Sequence, residues 1–160
     1  MFLPNNFIIF CKKGGFCMYD ANNVAKYIIN YCMEKNSPIT NLKLQKLLYF
    51  LWIAFYKERK EPLFSNAIYA WPLGPVVSDV YDEFCAYGGL VIRKSYNIDA
   101  IEERDAAILD NALLGLIPYS AHQLVDMTHA KGKPWDKIFA NGAGRGCRIP
   151  FDLIIEDECS

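Results

Sequence analysis

Thr40-Asn41-Leu42-Lys43-Leu44-Gln45-Lys46-Leu47-Leu48-Tyr49-Phe50-Leu51-Trp52-Ile53-Ala54-Phe55-Tyr56 is the stretch that decides the fold. Leu44, Leu47, Leu48, Leu51 and Phe55 recur at the helical period and form one apolar stripe. Tyr49, Trp52 and Tyr56 form a second stripe beside it. A helix apolar over so much of its circumference is covered on most sides, so this segment is predicted to be the core helix. Thr40 or Asn41 supplies its N-cap. The charged run Lys57-Glu58-Arg59-Lys60-Glu61 and then Pro62 end it.

On the N-terminal side, Asp20 is placed to cap a helix carrying Val24, Tyr27, Ile28 and Tyr31 on one face, with Ser37-Pro38 as its stop. On the C-terminal side, Ile68-Tyr69-Ala70-Trp71 reads as a brief strand. Leu73-Gly74-Pro75 then turns the chain, with Pro75 at the first position of a helix that buries Val77, Val80, Tyr81 and Phe84 and closes at Gly88-Gly89. Leu90-Val91-Ile92 is expected to pair with the earlier strand. Asp99 and Glu102 suggest a capping-box start for a helix bearing Ile101, Ile108, Leu109 and Ala112 inward, ending near Pro118. Ser120 and Gln123 form an S-x-x-Q capping box, with Tyr119 and Leu124 as its hydrophobic staple. Short helices at 134–140 and 150–155 follow, separated by a glycine-rich loop at 141–146 expected to be flexible and exposed. The fold class is therefore mainly α: a compact multi-helix single domain with a small β-hairpin or short strand pair.

Composition bounds the rest. The chain's 160 residues suit a single core of adequate size without disulfide or metal staples. A hydrophobic content of 52% with 22% charged residues excludes intrinsic disorder. The 17 Lys+Arg against 18 Asp+Glu leave a formal charge of −1, which supplies no electrostatic drive toward nucleic acid or an anionic membrane. No apolar run approaches the length of a membrane span, and the six cysteines lack paired metal or redox spacing. Reduced, buried thiols in a cytoplasmic protein are expected. Residues 1–17 follow no helical or alternating pattern. The codons of Lys12-Lys13-Gly14-Gly15 can spell a purine-rich run a few nucleotides before the Met18 codon, as a translated ribosome-binding site would. Residues 1–17 are thus expected to be a non-native leader or disordered extension, and Met18 the natural start.

Catalytic chemistry finds little footing. His122, Asp126 and His129 sit at i, i+4 and i+7 of one helix, but seven helical residues advance about 10.5 Å, too far for all three to share one zinc ion. No local signature surrounds any Cys or His as a nucleophile, Ser120 is accounted for as a cap, and Gly142-Ala143-Gly144-Arg145-Gly146 lacks the Lys-Ser/Thr of a phosphate-binding loop. Neither a catalytic residue nor a metal or cofactor is expected. The connection Ser37-Pro38-Ile39 is short enough for a helix-turn-helix, yet the following helix offers only Lys43, Gln45 and Lys46 near its start and is otherwise apolar. Three Trp and ten Tyr exceed what a small core always needs, a composition that permits protein binding without demonstrating it. For Tyr49, Trp52, Trp71 and Trp135, burial is nevertheless the expectation.

Three blocks resemble a known family. The first is Ile39-Thr40-Asn41-Leu42-Lys43-Leu44-Gln45-Lys46-Leu47-Leu48-Tyr49-Phe50. The second is Pro62-Leu63-Phe64 with Ala70-Trp71-Pro72-Leu73-Gly74-Pro75-Val76-Val77, continuing through Val80-Tyr81. The third comprises Tyr119-Ser120-Ala121, Leu124, Thr128-His129 and Pro134-Trp135. In this order they resemble the Panacea domain, the SocA-like antitoxin and phage-associated protein family, over nearly all of 18–160. The resemblance implies a mostly helical domain with a small β element, and a non-enzymatic antitoxin that neutralises a cognate toxin, usually encoded beside it, by direct protein–protein contact. Occlusion of the toxin and its delivery to a cellular protease both stay open. Asn41, Lys43, Leu44, Gln45, Lys46, Tyr49, Trp71, Gly74, Pro75, Val76, Tyr81, Ser120, Thr128, His129 and Trp135 carry over as motif positions, structural or toxin-binding. The alternative reading is a DNA-binding regulator of a phage or other mobile element. A Cys- or metal-dependent enzyme ranks third.

Overall fold

The computed structural model describes residues 18–160, so the expected leader at 1–17 lies outside the described residues. Helix α2 (Asn41–Arg59) is the core helix, and eleven of its 19 residues are buried. Thr40 is its cap, accepting the Lys43 amide at 3.2 Å. Lys60 ends it in the left-handed conformation. Leu44, Leu47, Leu48, Leu51 and Phe55 have no exposed surface. Trp52 is equally buried between the rings of Tyr56 and Phe151, and its indole donates to the Phe64 carbonyl at 3.2 Å.

Around α2 pack α1 (Ala21–Glu34), α3 (Ser78–Phe84), α4 (Glu103–Leu116), α5 (Ala121–Thr128), α7 (Phe151–Glu158) and the strand Gly74–Val77. Helix α1 buries Val24 and Ile28 as its period predicts, while Tyr27 and Tyr31 flank that face half-buried. Asp20 occupies the N-cap position without a side-chain bond; the Ala21 amide is taken by Asn66 Oδ1 instead. The helix stops before Ser37-Pro38, because Asn36 turns left-handed at φ 52° and the Ser37 amide closes back on the Cys32 carbonyl.

The sheet corrects two expectations. Pro75 does not begin a helix: Gly74–Val77 is a strand, β2, antiparallel to β1 (Ile68–Trp71), and α3 starts at Ser78. Gly74 at φ 100° reverses the chain directly after Pro72-Leu73. Proline is tolerated beside Ala70 because the Ala70 amide and carbonyl face the opposite neighbour, so that pair needs no N–H from Pro75. That neighbour is not Leu90-Val91-Ile92, which instead meets Ile39-Thr40, through an isolated Thr40–Val91 bridge and the Ile92 amide donating to the Ile39 carbonyl at 2.8 Å. It is β3 (Arg148–Ile149), giving the order β2-β1-β3.

Helix α4 lacks the expected capping box. Glu102 holds the N-cap position without a side-chain bond, and the Asp99 backbone is held on both sides by the Asn23 amide. Leu109 and Leu113 point inward with Asp105, which receives the Tyr19 hydroxyl at 2.6 Å and pairs with Arg59 at 3.2 Å. Ile101, Ile108 and Ala112 are only partly covered. The capping box of α5 forms as predicted, with Ser120 and Gln123 exchanging bonds of 3.1 and 2.8 Å. Leu124 is buried beneath it, whereas Tyr119 is largely exposed.

The glycine-rich segment is tied to the sheet and to α6 (Pro134–Phe139). The Gly146 amide donates to the Ala70 carbonyl at 2.7 Å and the Gly144 amide to the Phe139 carbonyl at 3.0 Å. A Cβ at Gly144 would stand 1.8 Å from the Ile138 carbonyl oxygen, so glycine there is a packing requirement. Among the described residues, no helix is long and apolar enough to cross a membrane.

Candidate functional site

Strand β2 lies at the edge of the sheet, and its outward backbone groups meet side chains of α2 in place of another strand. Gln45 Oε1 accepts the Val77 amide at 2.9 Å, and Lys46 Nζ donates to the Pro75 carbonyl at 2.6 Å. Adjacent residues of one helix thereby close an edge that would otherwise offer unpaired groups. The network extends along α2: Gln45 Nε2 donates to Asn41 Oδ1 at 3.0 Å, and Asn41 Nδ2 to the Tyr81 carbonyl at 3.2 Å. All three polar side chains are buried, and these bonds are what permits their burial.

Lys46 is the least usual member. It has no exposed surface and forms no ion pair with any described residue, and burial pushes its pKa down to about 7. Gly74 leaves room for it. A Cβ on Gly74 would lie 2.6 Å from Thr128 Oγ1 and 2.9 Å from Lys46 Cε. Thr128 is buried and turns its hydroxyl to the Val125 carbonyl at 2.7 Å. Thus the tip of the hairpin, the middle of α2 and the end of α5 meet at van der Waals distance.

Helix α6 closes the far side. Trp135 Nε1 donates to the Trp71 carbonyl at 2.8 Å, and its ring is stacked on His129 at 3.6 Å and on Phe139 at 4.5 Å. His129 Nε2 is buried and makes no hydrogen bond with the described residues. Burial, and then the charge of Lys46, hold its pKa below the ordinary value, against Asp126 and Asp136. A neutral imidazole lying flat on the indole fits this setting.

The outer face of the cluster is a groove of about 320 Å³ open to solvent. Trp71, Leu73, Val76 and Tyr81 form its apolar walls, and Asn41 and Gln45 its floor. Trp71 and Tyr81 meet edge to face at 4.8 Å. Leu73, at the hairpin tip, is 52% exposed. Since the floor's amides are already spent on Tyr81, Val77 and each other, the groove presents apolar surface and little hydrogen-bonding capacity.

Of the positions singled out in the sequence, Asn41, Gln45, Lys46, Trp71, Gly74, Pro75, Val76, Tyr81, Thr128, His129 and Trp135 belong to this one cluster or its groove. Four do not. Lys43 reaches the Ile117 carbonyl at the end of α4 at 2.7 Å, Leu44 is core, Tyr49 is buried where charges near the C-terminus raise its pKa further beyond burial, and Ser120 is a cap. With Gln45 and Lys46 buried and Lys43 engaged, α2 has no free polar row to read base edges. Leu73 was not singled out beforehand, although an apolar residue between Pro72 and Gly74 is a sign of an exposed hairpin tip. Among the described residues no group of three His, Cys, Asp or Glu is placed to hold a metal ion.

Comparison with known proteins fits this geometry. The family described as "Antitoxin SocA-like, Panacea domain" matches residues 44–136, which contain every cluster position named above except Asn41. The chain is also 36% identical over 154 aligned residues to Antitoxin SocA of Caulobacter vibrioides (strain NA1000 / CB15N), covering 86% of this chain and 81% of that protein. No solved structure matches significantly.

Proposed function

Because the chain belongs to the SocA-like antitoxin (Panacea) family, we propose that it neutralises a cognate toxin by direct protein–protein contact, without catalysis, in the cytoplasm. The groove beside the hairpin is the proposed contact surface. The observation that supports it is the gathering of eleven motif positions around one open apolar groove, where most serve to hold its walls in place. A solvent-open, aromatic-walled groove with an exposed leucine at its lip is the kind of surface that anchors a partner. The toxin is proposed to be encoded by an adjacent gene. Contact at the groove serves either outcome, occlusion of the toxin or its presentation to a cellular protease.

Co-expression tests this. The product of the adjacent small open reading frame is expected to arrest growth alone, to be harmless alongside this chain, and to co-purify with it. Arrest that persists in the presence of excess chain contradicts the proposal. A protease-deficient host separates the two routes: rescue that survives there indicates occlusion, and rescue lost there indicates delivery.

A further inference from the structure

The clamp beneath the hairpin holds two bases and no acid. Lys46 has no exposed surface, and the acceptor it reaches is the Pro75 carbonyl at 2.6 Å. An ammonium carries three N–H groups, so protonating Lys46 in place leaves two of them without an acceptor among the described residues. The elements around it supply no counter-ion. Gly74–Val77 of β2 has no titratable side chain. On α5 the neighbour is His129, another base, whose Nε2 is buried and makes no hydrogen bond with the described residues; Asp126 of that helix is exposed. On α6, Asp136 accepts the Gly132 amide at 2.8 Å, and Lys137 and the preceding Lys133 pair with Asp157 and Glu158 of α7. On α3, Asp79 is taken by Asn66 while Asp82 and Glu83 are exposed, and Lys43 of α2 is turned to the Ile117 carbonyl.

The cover over Lys46 is slight. The hairpin tip lies at a sheet edge, Leu73 is 52% exposed, and two side-chain bonds tie the strand to α2, Lys46 to the Pro75 carbonyl and the Val77 amide to Gln45. We infer that Lys46 is a proton-operated latch: taking up a proton releases the hairpin tip from α2 while the helices stay packed. In the open form water satisfies the ammonium, which the closed form fails to do. Burial holds the closed-state pKa at about 7 against 10.5 for a hydrated lysine, so opening takes up a proton between these values. The opening equilibrium rises as pH falls, about fifteen-fold from about pH 8.5 to about pH 7, and levels off below, where the closed form is itself protonated. Trp71, Leu73 and Val76 are walls of the groove, so opening dismantles it, and an occupant of the groove binds more weakly as the proton is taken up. This linkage holds whatever the occupant is.

Native-state hydrogen exchange on the full chain labelled with nitrogen-15 tests the latch, with rates corrected for the intrinsic pH dependence of amide exchange and converted to opening equilibria. Two amides are compared: Val77, held by Gln45 at the sheet edge, and Leu48, in the buried middle of α2. Val77 is expected to open far more readily than Leu48, and about fifteen-fold more at about pH 7 than at about pH 8.5. About 1 M urea should leave Val77 unaffected, because local opening exposes little surface, and should cut the protection of Leu48, which exchanges through global unfolding. In Lys46→Met the pH dependence of Val77 should vanish. A flat Val77 profile in the wild-type chain, urea sensitivity of Val77 equal to that of Leu48, or a pH dependence that persists in Lys46→Met would each overturn the inference. The wild-type measurements decide the matter even where the variant does not fold. None of these outcomes bears on growth rescue by the intact chain, so the antitoxin reading stands or falls separately.

Discussion

Replacing Lys46 by Met tests the clamp that holds the hairpin on α2. Lys46 Nζ is fully buried and has the Pro75 carbonyl at 2.6 Å as its polar partner, and burial holds its pKa at about 7 against 10.5 in the unfolded chain. With a depressed folded value, the unfolded chain binds more protons than the folded one between those limits. Stability therefore rises with pH through this window and is lost as pH falls through about 7. Integrating from about pH 7 to about pH 8.5, the Lys46 contribution amounts to about 1.6 kcal/mol. Cys32 and the buried tyrosines, whose raised values act in the opposite sense at higher pH, are common to both proteins and cancel in the difference. Methionine keeps the aliphatic stem, removes the titration and leaves the Pro75 carbonyl unpaired, a pH-independent offset. Urea unfolding of both proteins across this range should show their stability gap shifting by about 1.6 kcal/mol in favour of wild type as pH rises. Parallel profiles, with a gap constant to about 0.3 kcal/mol, would refute the buried-cation account.

Gly74→Ala should cost about 3 kcal/mol, from a side chain at φ 100° and a Cβ driven against Thr128 and Lys46, measured as a fall in the urea midpoint; a change under about 0.5 kcal/mol would show the hairpin tip to be loosely seated. Gln45→Leu strips the Val77 amide and Asn41 of their buried partner and should destabilise by about 2 kcal/mol, with faster amide exchange at Val77 as the local signature. Ser120→Ala should lose about 1 kcal/mol by thermal or urea unfolding, and Ser120→Asp should recover most of it, because the defect is confined to the α5 cap.

The core helix was legible because its period is strong over many residues, and nearly every stripe position of α2 is buried. The second hairpin strand was not. Gly74-Pro75 carries the local signature of a turn leading into a helix, and only the tertiary placement of Ala70 between β2 and β3 makes proline acceptable in a strand. A two-residue strand such as Arg148–Ile149 has no pattern to read; its pairing is imposed by contact with β1. Lys46 reads as a solvated residue of α2 and is buried because the hairpin lies over that face. Caps divide the same way: Ser120 with Gln123 is reciprocal and local, whereas Asp20 lost its expected role to Asn66 from a distant segment, and Asp99 lies short of the α4 start, where the Glu102 amide donates to the Tyr19 hydroxyl instead. The candidate site was visible only as a set of family positions. Their convergence is a property of the packing, since residues from 41 to 135 meet there.

The most direct measurement is growth rescue by groove variants that keep the fold. Leu73→Asp and Tyr81→Asp alter positions that are 52% and 36% exposed, and Leu114→Asp alters one that is 64% exposed on α4, away from the groove. Each protein is co-expressed with the adjacent toxic open reading frame, with its fold checked by circular dichroism. Loss of rescue by the two groove variants, with full rescue by Leu114→Asp, is the expected result. Undiminished rescue and co-purification by folded Leu73→Asp and Tyr81→Asp would place toxin contact elsewhere on the molecule and contradict the groove as the site of neutralisation.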